Sequence, residues 1–128
     1  MGQELIDNNR SNVISLFQKR RFTLSEAEKL LPLIRKFTRE AVGRFLLLEQ
    51  KLKASQADPI KVKAIELEVG TLLDQWAEKI TKLGCEAKGI WLVDFDNGEG
   101  YYCWRYDEEN IAYFHSYEEG FTGRTPIV

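Results

Sequence analysis

The hydrophobic period of this chain changes once, at Gly84, and that change constrains the fold more than any other feature. From Phe22 to Leu83 apolar residues recur every three or four positions, the repeat of an amphipathic helix. Beyond Gly84 they alternate, the repeat of a half-buried strand. A chain of 128 residues has room for one domain. The pattern therefore predicts an α+β fold: a long antiparallel helical hairpin over 22–83, then a three-stranded antiparallel β-meander and a Gly/Arg tail over 84–128.

The helical half carries its own punctuation. Thr23-Leu24-Ser25-Glu26 is a capping box, in which the Thr23 hydroxyl takes the Glu26 amide and the Glu26 carboxylate reaches back. Phe22 and Ala27 occupy the staple positions beside it. Pro32 has no amide proton to give, so a short helix over 24–30, a kink, and a second start at Pro32 are expected. The long helix then runs to about Ala54 on a seam of Leu31, Ile34, Thr38, Ala41, Phe45, Leu48 and Leu52. Asp58-Pro59 is an N-cap followed by a first-turn proline. The next helix, Ile60 to Leu83, ends at Gly84 as a left-handed stop. Phe45-Leu46-Leu47-Leu48 is apolar at four consecutive positions, more than one face of a hairpin can bury. Either the N-terminal residues or the sheet cover the excess, or two chains pair their hairpins into a four-helix bundle. The second is favoured, because a small sheet cannot cover helices of about 35 Å.

Residues 1–21 have little pattern and are expected to form a poorly ordered extension. Val13 to Phe17 suits a short strand or part of a helix, and Lys19-Arg20-Arg21 reads as a solvated linker. The start, Met1-Gly2-Gln3-Glu4, lacks the basic opening and apolar centre of an export signal. No apolar run approaches the roughly 20 residues of a membrane span. Two distant cysteines make no disulfide framework, so a reducing cytoplasm is expected.

Chemistry, if the chain has any, belongs to the last third. Of 15 aromatic residues, 10 lie between Trp91 and Phe121. The single His and both cysteines, Cys85 and Cys103, share this stretch. Residues 84–128 hold 3 basic and 9 acidic side chains, a net −6. Such a surface repels phosphate backbones, which argues against nucleic acid as a partner.

Gly89 to Phe95 reads as the first strand, Asn97-Gly98 as a two-residue turn, Tyr101 to Tyr106 as the second strand and Ile111 to His115 as the third. That turn sets Leu92 opposite Cys103 and Asp94 opposite Tyr101. Ile90, Leu92, Asp94, Tyr101, Cys103 and Arg105 then share one face. A three-residue second loop at 107–109 sets His115 opposite Tyr101, on the same face. A two-residue loop sets it opposite Tyr102, on the other. In the first register Asp94, Tyr101 and His115 form a row across three strands.

A carboxylate can orient an imidazole, and a Tyr hydroxyl can join the network. Arg105 or Arg124 could clamp an anion, so the candidate polar site is Asp94, Tyr101, Cys103, Arg105, His115 and Arg124. It would bind a small molecule or anion, or carry out hydrolysis. The bland reading is a buried His–carboxylate pair that fixes the sheet. Cys103 with His115 as base could attack a carbonyl, yet a cysteine between strand aromatics is commonly an inert small hydrophobe. No Cys-x-x-Cys, His-x-His or His-x-x-x-His spacing occurs, so no metal or cofactor is expected. The glycines of Gly120-Phe121-Thr122-Gly123-Arg124 let the tail turn and let Arg124 reach Asp94 or Glu118.

Several pieces together resemble an uncharacterised bacterial family, domain of unknown function 2203. They are Phe22-Thr23-x-x-Glu26-Ala27, Leu31-Pro32-x-x-Arg35, Gly84, Lys88, Leu92-Val93-Asp94-Phe95, Cys103-Trp104, His115 and Gly120-Phe121-x-x-Arg124, spread over residues 22–127. Trp91 stands where the family pattern has Gly, Phe114 where it has Trp, and Asp107 where it has Gly. The resemblance implies a small helical hairpin with a sheet and implies no activity. Read as a whole, the sequence suggests a cytoplasmic, non-enzymatic interaction module that forms a homodimer.

Overall fold

The structure, a computed structural model, describes residues 20–128. The expected N-terminal extension falls outside the described residues except for Arg20 and Arg21. The Arg20 amide bonds the Gly84 carbonyl at 3.2 Å, and the Phe22 amide bonds the Asp96 carbonyl at 2.7 Å.

Helix α1 spans Leu24–Ala54 and α2 spans Pro59–Lys82. The capping box forms as expected: the Glu26 amide donates to Thr23 Oγ1 at 3.1 Å, and the Thr23 amide to Glu26 Oε1 at 2.9 Å. Asp58 caps α2 by accepting from the Ile60 and Lys61 amides at 3.1 and 3.3 Å. Gly84 takes φ +88. The Gly84 amide then reaches the Thr81 carbonyl and the Cys85 amide the Ile80 carbonyl, a Schellman stop.

The expected break at Pro32 is absent, since α1 is one helix with Pro32 inside it. Ala27 and Leu31 before the proline and Ile34 and Thr38 after it are all buried in the same core. Their packing outweighs the single backbone bond that proline removes. Lys79 lies over the Phe37 ring and Trp76 bonds Thr38, so the helices run antiparallel. Thr38 is fully buried yet satisfied: its hydroxyl donates to the Ile34 carbonyl at 2.8 Å and accepts from Trp76 Nε1 at 2.9 Å.

The sheet has five antiparallel strands rather than three: β1 Glu86–Gly89, β2 Leu92–Asp96, β3 Gly100–Arg105, β4 Tyr113–Ser116 and β5 Thr125–Pro126, in that spatial order. Two short strands escaped the sequence reading. Gly89 ends β1 rather than starting a strand, and Ile90-Trp91 is the turn between β1 and β2, with Trp91 at φ +64. The ring of Trp91 folds inward, edge-on to Trp76 at 5.1 Å and to Phe45 at 5.9 Å. At the other edge β5 pairs with β4.

The β2–β3 register differs by two residues from the expected one. Asp94 faces Cys103 and Asp96 faces Tyr101, so four residues, 97–100, separate the last pair, the fourth of them opening β3. Side-chain acceptors explain the wider loop. Asn97 Oδ1 takes the Glu99 and Gly100 amides, and Asp96 Oδ1 takes the Gly98 amide. A slip of two keeps every side chain on its expected face. The β3–β4 pairing sets Tyr101 opposite His115, the first of the two registers considered. Ile111 is not in the strand; it is buried in the loop that precedes β4.

One sheet face carries Val93, Phe95 and Trp104 into the core with Phe22, Ala27, Leu31, Ile34 and Ile80. The opposite face carries Asp94, Tyr101, Cys103 and His115, and these too are buried. Segment 117–121 lies over that second face, with Tyr117 edge-on to Tyr101 at 5.2 Å.

Candidate functional site

Three antiparallel strands bring one polar side chain each to the middle of the second face. Asp94 comes from β2, Cys103 stands opposite it on β3, and His115 lies diagonally across on β4. His115 Nε2 is 3.0 Å from Asp94 Oδ2, with both side chains at most 3% exposed. The carboxylate, the thiol and the imidazole each place one atom within 4.8 Å of the others.

The protonation of this cluster follows from its partners. His115 Nδ1 is 2.8 Å from the Ser116 carbonyl, which can only accept, so Nδ1 carries a proton. Nε2 then faces Asp94 across a bond that needs one further proton, held on either side. Burial raises the Asp94 pKa, against the pull of His115 and of hydrogen bonds from the Cys103 thiol and His115. Burial, then the Asp94 charge, pushes the Cys103 thiol up to about 12. Asp94 Oδ1 is buried with no N–H or O–H donor on it among the described residues.

A pocket of about 190 Å³ opens on the cluster. Lys88, Leu92, Tyr101, Tyr117, Glu119 and Phe121 wall it. Lys88 pairs with Glu86 at 2.9 Å and lies 5.0 Å from the centre of the Tyr101 ring. The hydrogen bond that the Lys88 ammonium donates to Glu86 holds it above its ordinary pKa. Burial, then a hydrogen bond to Glu86, raises Tyr101 as well.

Four of the six expected site residues thus converge: Asp94, Tyr101, Cys103 and His115. The two arginines do not. Arg105 is held by Asp107, with Nη2 to Oδ2 at 2.9 Å, and stands 5.2 Å over the Phe121 ring. Arg124 reaches neither Asp94 nor Glu118; it bonds Glu108 and stacks 4.0 Å over Tyr113. Glu108 wins because its backbone is fixed nearby, where Trp104 Nε1 donates to its carbonyl at 2.9 Å. An anion clamp built from these arginines is therefore lost, since a carboxylate already occupies each. The sequence reading missed Glu86, Lys88 and Tyr117. Lys88 was visible as a motif residue, but β1, which aims it at the pocket, was not recognised as a strand.

Burial, which pushes the Cys103 thiol up to about 12, favours its protonated form at neutral pH over an activated thiolate. The cluster can hold a proton between Asp94 and His115, and it can offer oxygen, nitrogen and sulfur donors to one small guest. No helix among the described residues is long and apolar enough to cross a membrane. No curated protein and no solved structure matches the chain. The model of one family, described as an uncharacterized conserved protein (DUF2203), matches residues 20–127. Because that match spans nearly all of the chain, the protein belongs to the DUF2203 family.

Proposed function

We propose that this protein is a cytoplasmic, non-enzymatic binding module whose ligand is small, polar and uncharged or cationic. The carrying observation is the Asp94–His115 pair, buried at 3.0 Å beneath a pocket of about 190 Å³. That volume equals about six water molecules at roughly 30 Å³ each, so the guest is small. Its charge follows from the walls. Lys88, the cation of the pocket wall, is paired with Glu86, and the Asp94–His115 pair is neutral as a unit, while Glu119 adds negative charge. Two free cysteine thiols support a reducing compartment. Crystals soaked in imidazole, acetamide or urea test the reading. Density is expected within hydrogen-bond distance of Asp94 or His115, together with a rise in melting temperature that H115Q abolishes. Fragments that bind only elsewhere, or not at all at tens of millimolar, overturn it.

A second reading concerns the hairpin and is independent of the pocket. Leu46, Leu47 and Leu67 are 51%, 60% and 69% exposed near the α1–α2 turn. Leu47, Leu48, Leu67 and Leu72 line a groove of about 420 Å³. Arg44 and Lys51 on its α1 side stand across from Glu68 on its α2 side, a pattern that pairs with itself under two-fold symmetry. We therefore propose a homodimer through the hairpin faces. Light scattering at tens of micromolar should give twice the chain mass, and L47E should halve it. A monomeric wild type refutes this second reading alone.

A further inference from the structure

We propose that Asp94, Cys103 and His115 form a binding site for one zinc-class divalent ion, with a fourth coordination position open to the pocket. This deepens the binding reading above and rests on it. Carboxylate, thiolate and imidazole together are a donor set that suits zinc: the thiolate disfavours magnesium and calcium, and the mixture accepts a borderline-soft ion.

The geometry is close to what such an ion needs. Bonds of about 2.0–2.3 Å in a tetrahedron separate ligand atoms by about 3.4 Å. The Asp94–His115 pair stands at 3.0 Å and all three donor atoms lie within 4.8 Å. Side-chain torsions alone can close the difference. The three Cα positions are held by direct strand pairing, so the site sits on rigid elements.

The tautomer is that of a metal ligand. A ligating histidine commonly gives its second N–H to a carbonyl, which fixes the ring and aims the free lone pair. His115 Nδ1 does so to Ser116 at 2.8 Å, and Nε2 points into the cluster. A second sign is Asp94 Oδ1, a buried carboxylate oxygen with no N–H or O–H donor among the described residues, the Cys103 thiol being the donor this carboxylate has besides His115. A cation would satisfy it.

Charge balance agrees as well. Without an ion the cluster is neutral, with one proton shared by Asp94 and His115 and one on the Cys103 sulfur. With the ion, three bonds form, to sulfur, nitrogen and oxygen, and both protons leave to solvent. Two positive charges replace two protons, so the buried cluster stays neutral either way. A water is the expected fourth ligand, on the side of the pocket.

Cobalt(II), as a coloured stand-in for zinc, tests this on the wild-type chain and needs no variant to fold. One equivalent should bind, with a near-ultraviolet thiolate-to-cobalt band that zinc bleaches. The band should vanish in C103S and persist in C85A. Zinc affinity should fall in H115Q by more than the roughly 10–100-fold that an outer-shell change costs. In the wild type, the His115 Nε2 resonance should move on zinc addition while Nδ1 keeps its proton. Absence of the band at millimolar cobalt, or a band that survives in C103S, overturns the metal site. If the band is absent but imidazole still stabilises the wild type and not H115Q, the pocket reading stands without the metal. If both are absent, both readings fall.

Discussion

Trp91 offers a test in which two effects of known size oppose each other. It is the second residue of the β1–β2 turn and sits at φ +64, a conformation that costs a side-chain-bearing residue about 1–2 kcal/mol. Its ring offsets that cost by packing edge-on to Trp76 at 5.1 Å and Phe45 at 5.9 Å. Two such pairs contribute about 0.5–1.5 kcal/mol each beyond the area they bury. W91A removes the ring and keeps the strain, so it should destabilise by about 3 kcal/mol, the lower end for a buried aromatic because the residue is only half-buried. W91G removes both, so it should be more stable than W91A by about 1 kcal/mol. In regular helix or strand the order is reversed, with glycine the worse by about 0.5–1 kcal/mol. Urea unfolding followed by far-ultraviolet circular dichroism measures the pair without relying on the deleted fluorophore. If W91A equals or exceeds W91G in stability, residue 91 is not left-handed in solution, and the β1 hairpin that carries Lys88 to the pocket is wrongly described.

Other expectations bear on the core and the sheet. T38V should leave Trp76 Nε1 buried without its acceptor and cost about 1–3 kcal/mol in a urea melt, while T38S keeps both hydrogen bonds and costs about 1 kcal/mol or less. G100A should disrupt the β3–β4 pairing, because an added methyl group would overlap the His115 carbonyl and lie 3.1 Å from Ser116 Cα; a loss of about 1–3 kcal/mol is expected. Burial holds the Cys85 and Cys103 thiols at about 12 against an ordinary 9.0. The stability tied to their protonated state is complete below pH 9 and is lost as pH rises toward 12. Each thiol lowers it by at most about 1.4 kcal/mol per pH unit in that window. Urea midpoints should therefore fall between pH 8 and pH 10, and fall less in C85A.

The helical half was legible because its signals are local. Thr23 with Glu26, Asp58 with Pro59, and Gly84 each name a helix end within four residues of sequence. Pro32 misled in suggesting a second helix start, because its penalty is local while the packing of Leu31 and Ile34 that keeps the helix continuous is not. In the sheet, period two identified the shared face of Asp94, Tyr101, Cys103 and Arg105, and the two-residue register slip left it unchanged, while the face of His115 depended on the length of the second loop and is decided by its pairing with Tyr101. Strand β1 was hidden because its turn uses Trp91 in a conformation where glycine is the usual marker. The Arg124 partner was unreadable because Glu108 is fixed by a tertiary bond to Trp104. Asp94, Cys103 and His115 are spaced nine and twelve residues apart, which matches no short metal motif. Only the strand pairing brings them together.

The measurement closest to the central claim is long-range proton–nitrogen correlation NMR of the imidazole in the metal-free protein. The chain has one histidine, so the signals need no assignment. A buried pair with Nδ1 bonded to Ser116 and Nε2 facing Asp94 predicts a single fixed Nδ1–H pattern with slow exchange. D94N should shift Nε2 and leave Nδ1 in place. A rapidly averaging tautomer mixture, indifferent to D94N, would mean that Asp94 and His115 do not meet, and the site described here would not exist.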